Sequence, residues 1–370
     1  MKILIIINST WNIFNFRMGL IQTLLKNGHQ VATLSPDDEY TDRLKATGVE
    51  YHSVEMNARG VNPLQDLRLF SNIYKAIKVI KPDVVLSYTI KPNIYATLSC
   101  SMLGIPIISN VSGLGTVFIK KNLSSLVAFA LYRLSFRKSS WVFFQNHADR
   151  KIFQVLKLVQ TNRISVLPGS GVNLQKFDID RRENKGKRFL FVGRLMGDKG
   201  LREYIAAGKR LIADDPEVTI SIAGEKGYNN HSAISDTELN AWLEYSNISF
   251  LGMKDDMWSV YSKADVMVLP SYREGLSRSL IEACAMKLPL VTTDVPGCKE
   301  VVEDGKNGLL CSVRDADDLY LKMKQMHSFP EEKRLQMGDY GRRKVMGDFD
   351  EQIVIRMYEE KIRELAPKLS

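Results

Sequence analysis

The feature that most constrains the fold is an alternation of short, apolar, β-branched runs with segments of helical period, repeated along most of the chain. Strands that alternate with helices in this way form parallel sheets covered by helices. The sequence therefore predicts an α/β protein. The strand candidates are KILIII, QVATLS, YHSVEM, DVVLSY, IPIISN, WVFFQN and RISVLP in the first half, and RFLFVG, VTISIAG, ISFLG, DVMVLP, LPLVTT and GLLCS in the second.

Two domains suit the length of 370 residues, at roughly 150 residues per domain. Residues 168–187 are turn-rich and charged, with weak periodicity, which is typical of a linker. We therefore predict two doubly wound, Rossmann-like domains over 1–172 and 188–349, joined by a linker over 173–187. Residues 350–370 form a periodic amphipathic segment, which we predict to be a helix that packs back on the first domain.

The cysteines and the hydropathy pattern both favour a cytoplasmic protein. The four cysteines include no CxxC pair, so we expect reduced core thiols. No uncharged run approaches the roughly 20 residues of a membrane-spanning helix, and the apolar run at the start is too short for a secretory signal.

Positive charge is concentrated in the first half of the chain. Residues 1–170 hold 20 Lys and Arg against 9 Asp and Glu, a net charge of +11, whereas the remainder carries −2. Basic residues are not interleaved with stacking aromatics on any predicted strand, so we expect no nucleic-acid partner. Residues 117–138 combine an apolar helical face with basic flanks, which suits a helix lying on an anionic membrane surface. A buried crossover helix with a basic rim would have the same spacing.

The common phosphate-binding signatures are absent. No GxGxxG follows the first strand, and GRLMGDKG has the wrong spacing for a P-loop, which disfavours dehydrogenases and nucleoside triphosphatases. Asp178 and Asp180 form a DxD pair, but no nucleotide-binding strand precedes them, so we predict no metal site there.

The segment PSYREGLSRSLIE joins a predicted buried strand to a helix and carries two carboxylates, Glu274 and Glu282. Eight residues along a helix span about 12 Å, so one carboxylate would reach a sugar and the other a ribose on either side of a diphosphate. The helix start at Gly275, Leu276 and Ser277 would offer backbone N–H groups to phosphate. The alternative is that Glu274 is a helix-terminal charge and Glu282 a solvated surface residue.

The segment FVGRLMGDKGL places Arg194 and Lys199 after another predicted strand. Ligands bind parallel sheets at the carboxyl ends of their strands, and these two cations could neutralise a diphosphate without a metal. The alternative is an exposed basic loop.

Together with PGSGVNLQKF and PGCKEVVEDGKNGLL, these motifs resemble the retaining GT-B glycosyltransferases of the large fourth family. The resemblance implies two Rossmann-like domains facing across a cleft. It implies that Arg194 and Lys199 hold the donor diphosphate, that Glu274 contacts the transferred sugar and that Glu282 contacts the ribose. No cofactor or metal is implied. The other implied donor-site residues are Gly193, Gly252, Met253, Lys254, Gly275, Leu276 and Ser277.

The first half resembles a narrower group through FNFRMGL, SYTIKPNIYA and VSGLG. These stretches look like those of bacterial enzymes that add N-acetylhexosamines to polyprenyl-diphosphate-linked sugars in capsule, O-antigen or N-glycan assembly. Many members of the wider family carry a His after the strand IPIISN, where this chain has Ser112 and Gly113, so we assign no side-chain base. His147 is expected to be a helix-start residue. The implied acceptor-side residues are Arg17, Lys91, Asn93, Ser112 and Gly113.

We therefore expect a retaining transferase that moves an N-acetylhexosamine, with GalNAc favoured, from a UDP-sugar to an undecaprenyl-diphosphate-linked saccharide. It would be peripheral on the inner face of the bacterial cytoplasmic membrane. Three alternatives remain open. They are a hexosyltransferase that uses UDP-glucose or UDP-galactose, a sugar-nucleotide epimerase, and a protein that binds anionic surfaces through its basic half. An epimerase needs acid and base side chains at the sugar carbon, and no cluster of His and carboxylates stands in the matching loops.

Overall fold

The structure is a computed structural model and describes residues 1–56, 62–113, 123–181, 183–227 and 232–366. These residues form two compact units. Unit 1 comprises Met1–Ser170 together with Gln352–Ser370, and unit 2 comprises Gly171–Glu351. Unit 2 is therefore inserted into the sequence of unit 1.

Each unit is built on one parallel sheet, which confirms the predicted α/β class. The strand order is β3-β2-β1-β4-β5-β6-β7 in unit 1 and β10-β9-β8-β11-β12-β13 in unit 2. The strands are β1 (Lys2–Ile6), β2 (Gln30–Ser35), β3 (Glu50–Ser53), β4 (Val84–Tyr88), β5 (Ile107–Val111), β6 (Trp141–Phe144), β7 (Ile164–Val166), β8 (Arg188–Val192), β9 (Thr219–Ala223), β10 (Ile248–Gly252), β11 (Val266–Leu269), β12 (Leu290–Thr293) and β13 (Gly308–Cys311).

Most of the helices connect consecutive strands and cover the sheets, and the last three follow the final strand of unit 2. Because both faces of a covered parallel sheet are dry, central strands such as β4 and β12 are buried at every residue. The helices are α1 (Thr10–Phe16), α2 (Met18–Lys26), α3 (Thr41–Lys45), α4 (Pro63–Ile80), α5 (Ile90–Leu103), α6 (Leu123–Phe136), α7 (His147–Val155), α8 (Leu201–Asp214), α9 (Asp236–Leu243), α10 (Met257–Ser262), α11 (Arg278–Ala285), α12 (Ala316–Ser328), α13 (Glu331–Asp348) and α14 (Glu351–Leu365).

The sheet order reverses at one point in each unit, between β1 and β4 in unit 1 and between β8 and β11 in unit 2. The loops that leave two neighbouring strands at such a point run to opposite faces of the sheet and leave a crevice at the carboxyl ends. This crevice is where doubly wound folds bind ligands. Each unit therefore has one position that its topology prepares for a ligand.

The last helix, α14, completes the core of unit 1. The centroid of its Tyr358 ring lies 5.0 Å from that of Phe143 and 6.1 Å from that of Tyr88. The Asn110 amide donates a hydrogen bond to the Tyr358 hydroxyl at 2.8 Å. The buried residues of α14 recur at helical spacing, so they form one apolar face that packs into the core.

The structure differs from the sequence interpretation over residues 173–187, which belong to unit 2 instead of standing between units. The Arg181 guanidinium donates hydrogen bonds to the carbonyl oxygens of Tyr261, Ala264 and Met286. Asn184 is fully buried. Turn-rich composition indicated correctly that this stretch is irregular, but its polar side chains satisfy backbone carbonyls of unit 2 and hold it in place.

Residues 117–122 of the predicted membrane segment lie outside the described residues, and only the second half of α6 has described side chains. There Tyr132 and Phe136 are buried against Phe153, so these two rings do not widen an exposed apolar face. Leu134 is 53% exposed, and Arg133 is exposed beside it. No helix among the described residues is both long and apolar enough to cross a bilayer.

Candidate functional site

The loop after β8 positions Arg194 and Lys199 in unit 2. A short 3-10 turn over Gly197–Lys199 ends at Gly200, which has a φ of +72° and is the N-cap of α8. A side-chain carbon on Gly200 would lie 2.0 Å from the carbonyl oxygen of Pro270, so glycine is required for this close approach. The loop therefore packs tightly against the segment that follows β11.

That neighbouring segment carries Glu274. The Tyr272 N–H donates to the Asp198 carbonyl oxygen at 2.9 Å, and the Glu274 N–H donates to the Pro296 carbonyl oxygen at 3.1 Å. Gly297, with φ of +86°, lies so close to Glu274 that a Cβ there would approach its backbone carbonyl and Cβ atoms to 2.5 Å. The backbone of Glu274 is thus fixed from two sides.

Two predicted residues from separate motifs meet here. The Lys199 ammonium donates to Glu274 Oε1 at 2.5 Å, and the Ser271 hydroxyl donates to the same oxygen at 2.6 Å. The side chains of Lys199 and Glu274 are only 18% and 13% exposed. Since β8 and β11 are neighbours at the reversal of the sheet, the pair occupies the crevice that the topology prepares. Arg194 lies exposed on the same loop as Lys199.

Glu282 is held on α11 by two side chains. Its Oε1 accepts a hydrogen bond from Arg278 Nε at 2.8 Å, and its Oε2 accepts one from the Tyr261 hydroxyl at 3.1 Å. Burial and the Glu282 charge raise the pKa of Tyr261 well above its usual value, so the phenol keeps its proton and donates. At 8% exposure, Glu282 is not the solvated surface residue of the alternative interpretation.

The helix start differs from the one expected in two respects. α11 begins at Arg278 with Ser277 as its N-cap, so Glu274 precedes the helix and the two carboxylates are not separated by eight residues of helix. The Ser277 N–H, expected to face phosphate, donates to the Gly297 carbonyl oxygen at 2.9 Å. The Ser277 side chain accepts from the Leu280 N–H, and Leu276 is buried at 9% exposure next to Gly275.

Glycines line the carboxyl ends of the adjacent strands. The Gly193 N–H donates to the Ala223 carbonyl oxygen, and the Gly224 N–H donates to the Gly252 carbonyl oxygen at 2.9 Å. A Cβ on Gly224 would lie 1.8 Å from the Gly193 carbonyl oxygen. This edge of the sheet is therefore kept free of side chains close to the backbone. Beyond Gly252, Met253 is 38% exposed and Lys254 is exposed.

The predicted acceptor-side residues of unit 1 have different local partners. Lys91 forms an ion pair with Asp66 at 2.8 Å, with both side chains 14% exposed. Asn93 is 2% exposed, and its amide donates to the Asn110 carbonyl oxygen. Both side chains therefore have hydrogen-bonding partners within unit 1, as buried polar groups generally do.

Four other residues of unit 1 stand at the ends of strands or helices. Ser112 and Gly113 follow β5, Gly113 with φ of +138°, and residues 114–122 beyond them are not described. His147 begins α7, after the N-cap Asn146. Arg17 is buried between α1 and α2.

Sequence reasoning missed the residues that orient the two carboxylates of unit 2. Ser271 stands three residues before Glu274 within the segment PSYREGLSRSLIE, but it was not singled out there. Tyr261 carries no motif, and only the fold brings it to Glu282. The contact of Arg278 with Glu282 was detectable, since residues four apart on a helix are neighbours. Among the described residues, no group of three or more His, Cys, Asp or Glu side chains is arranged to hold a metal ion.

Comparison with known proteins places these features in families. Residues 174–344 match the family model described as glycosyl transferases group 1, and residues 2–146 match the one described as glycosyl transferase 4-like.

Two curated relatives are similar over most of the chain. An N,N'-diacetylbacillosaminyl-diphospho-undecaprenol alpha-1,3-N-acetylgalactosaminyltransferase of Campylobacter jejuni is 28% identical, with 94% of each chain covered. A UDP-Gal:alpha-D-GlcNAc-diphosphoundecaprenol alpha-1,3-galactosyltransferase of Escherichia coli is 25% identical, with 70% of each covered. The crystal structure of Anabaena HepE in complex with UDP and glucose superimposes with a TM-score of 0.79 over 98% of this chain and 100% of that one, at 16% identity. This likeness shows the GT-B fold.

Proposed function

The chain belongs to the group 1 glycosyltransferases, and from that premise we propose that it transfers an N-acetylhexosamine, with GalNAc favoured, from a UDP-sugar to an undecaprenyl-diphosphate-linked saccharide. The acceptor class is supported by the names of the Campylobacter and Escherichia relatives, which both act on undecaprenyl-diphosphate-linked sugars. The N-acetylhexosamine is supported by the Campylobacter relative. The Escherichia relative, a galactosyltransferase, favours a hexose as the second candidate.

The observation that carries the proposal is the contact of Lys199 with Glu274 in the crevice of unit 2. A UDP-sugar has a diphosphate that a cation can bind and sugar hydroxyls that a carboxylate can bind. Lys199 is such a cation and Glu274 such a carboxylate, and the two are joined by a hydrogen bond. When the donor binds, the Lys199 ammonium pairs with the diphosphate, and the Glu274 carboxylate accepts hydrogen bonds from the sugar hydroxyls. Glu282, already fixed by Tyr261 and Arg278, accepts from the ribose hydroxyls through its remaining lone pairs.

The bond between sugar and phosphate breaks with growth of negative charge on the departing diphosphate. Lys199 and Arg194 stabilise that charge more than they stabilise the bound substrate, which lowers the barrier. In a retaining reaction the acceptor hydroxyl attacks on the face of the leaving group, and the departing phosphate oxygen takes its proton. Two cations on one loop supply the charge that a metal supplies elsewhere, so the proposed reaction needs no metal or other cofactor.

A thermal-shift panel tests the donor assignment. The full chain is heated with UDP, GDP, UDP-glucose, UDP-galactose, UDP-GlcNAc or UDP-GalNAc in the presence of EDTA. We expect UDP to raise the melting temperature, and UDP-GalNAc to raise it further, since a ligand that binds only the folded state stabilises it by mass action. A larger shift with a hexose donor would favour the second candidate, and no shift with any uridine nucleotide would reject the donor site.

We also propose that unit 1 contacts an anionic membrane surface through residues 117–138, on the inner face of the bacterial cytoplasmic membrane. Exposed Leu134 and the basic residues Arg133, Arg137 and Lys138 support this orientation, because apolar and cationic groups act together at an anionic interface. Co-sedimentation with anionic vesicles should exceed that with phosphatidylcholine vesicles, and R137E/K138E should abolish the excess. Equal binding to both vesicle types would reject this orientation.

A further inference from the structure

Unit 1 buries the cationic side chain of Arg17. Arg17 is 5% exposed, and within the described part of the chain no Asp or Glu forms an ion pair with it. Among the residues that the structure describes, its Nε has no hydrogen-bond partner and its Nη1 reaches only the Phe16 carbonyl oxygen, at a long 3.4 Å. A guanidinium removed from water is costly unless an anion compensates it, so this arrangement is incomplete as it stands.

The guanidinium is nevertheless held in a defined place. Its central carbon lies 4.3 Å from the centroid of the Tyr88 ring, and Tyr88 itself is fully buried. Stacking on an aromatic face fixes the plane of the fork and offsets part of the charge, but it uses none of the five N–H donors. Tyr88 is in turn packed against Tyr358, whose ring lies 6.1 Å away between centroids and supports its position.

Arg17 lies at the reversal of the sheet order in unit 1. Arg17 stands after β1, and Tyr88 is the last residue of β4, the two strands between which the sheet order of unit 1 reverses. This is the crevice where doubly wound sheets bind ligands. It corresponds in unit 1 to the place that Lys199 and Glu274 occupy in unit 2, between β8 and β11.

Further donors leave the end of β4. Thr89 has a φ of +67°, which is strained for a residue other than glycine. Its buried Oγ1 has no hydrogen-bond partner within the described part of the chain. It precedes the 14-residue helix α5, whose N-terminus has no side-chain cap and no acidic residue in its first turn. Lys91, the cation of that turn, is already paired with Asp66.

We propose that the crevice of unit 1 binds a diphosphate, with the Arg17 guanidinium as its principal contact and Thr89 and the N-terminus of α5 as neighbouring donors. A planar fork matches phosphate oxygens, and an uncapped helix start offers N–H groups to an anion. The assignment of a diphosphate rests on the proposed function, in which both substrates carry one: the lipid-linked acceptor and the UDP-sugar.

Calorimetric titration of the full chain separates these two sources. The probes are farnesyl diphosphate, a short prenyl diphosphate, then UDP, then inorganic pyrophosphate. We expect R17Q to weaken farnesyl diphosphate and pyrophosphate at least tenfold and to leave UDP unchanged. R17K, which keeps the charge but loses the fork, should give an intermediate loss. The control is R43Q, because Arg43 also stacks on a tyrosine, at 4.8 Å from the Tyr40 ring, but is exposed.

Each outcome decides the inference. If R17Q weakens UDP instead of farnesyl diphosphate, the site holds the donor diphosphate, and a diphosphate site stands. If R17Q, or R17K should R17Q fail to fold, leaves every probe within twofold of the wild type, Arg17 is a packing residue and the inference is overturned. Failure of the proposed function is distinct, since it shows as absence of UDP binding by the wild type.

Discussion

Removing the charges of Lys199 and Glu274 together should destabilise unit 2 by less than the sum of the two single removals. K199M leaves the Glu274 carboxylate, 13% exposed, with only the Ser271 hydroxyl as a side-chain partner, and E274Q leaves an unpaired ammonium that is 18% exposed. Breaking a buried pair is costly because the remaining charge has lost its water and gained no partner. In the double variant neither charge remains.

The magnitude follows from the geometry. At a charge separation of about 4 Å and an effective dielectric constant of about 20, the attraction is about 4 kcal/mol, and desolvation of the two groups offsets part of it. We expect each single substitution to cost about 2 to 3 kcal/mol and the coupling free energy to be about 2 kcal/mol. In a unit of this size, that coupling corresponds to roughly 4 to 8 °C in melting temperature.

A double-mutant cycle measured by thermal and urea unfolding gives the coupling directly. The matched control is the cycle for Lys226 and Asp236, an ion pair at 2.8 Å whose side chains are 53% and 74% exposed. Exposed pairs contribute less than about 1 kcal/mol. If the coupling of Lys199 with Glu274 does not exceed that of the control, the pair is solvent-screened and our view of the crevice as a low-dielectric site is refuted.

The other predictions concern positioning and pH. G297A should lower kcat on the order of 100-fold, because the added carbon would displace Glu274. The control is G305A, which also has a positive φ, of +74°, but no described atom near the added carbon, so kcat should be unchanged. Equal losses of kcat in both variants would refute the role of the contact between Gly297 and Glu274. Y261F should weaken UDP about fivefold, the equivalent of one hydrogen bond to the carboxylate on α11, and unchanged calorimetric affinity would contradict this. Hydrogen bonds from two lysines and a tyrosine lower the pKa of Glu303 from 4.5 to about 2, so its contribution to stability is present above pH 4.5 and lost as the pH falls towards 2; melting curves of E303Q should show a smaller loss over that interval than the wild type.

The pattern of short apolar runs was enough to predict the two parallel sheets. Strands that are buried on both faces must be apolar throughout, and a short apolar run between two helices is typical of such a strand. Motif position was also informative in unit 2. Lys199 and Glu274 each follow a strand, and the reversal of the sheet order brings the two strands together. Their direct contact was not predictable, since it joins residues 75 positions apart through the packing of Gly200 on Pro270 and of Gly297 on Glu274.

The same reasoning was less informative in unit 1. Lys91 and Asn93 follow β4 as a ligand-binding pair would, but the fold supplies Asp66 to one and the Asn110 carbonyl to the other. Asp66 lies 25 residues before Lys91 and Asn110 lies 17 residues after Asn93, so no local pattern shows these contacts. Arg17 shows the converse, since its lack of an acidic partner among the described residues is visible only once the surrounding residues are in place.

The insertion of unit 2 within unit 1 sets the order in which the polypeptide can mature during translation. Tyr358 contributes a ring to the core beside Tyr88 and Phe143, yet it emerges from the ribosome only after all of Gly171–Glu351. At typical elongation rates that interval is on the order of 10 to 40 s. Throughout it, the nascent first unit exposes an apolar surface that chaperones recognise, and the unit synthesised second is the first to have its full complement of residues.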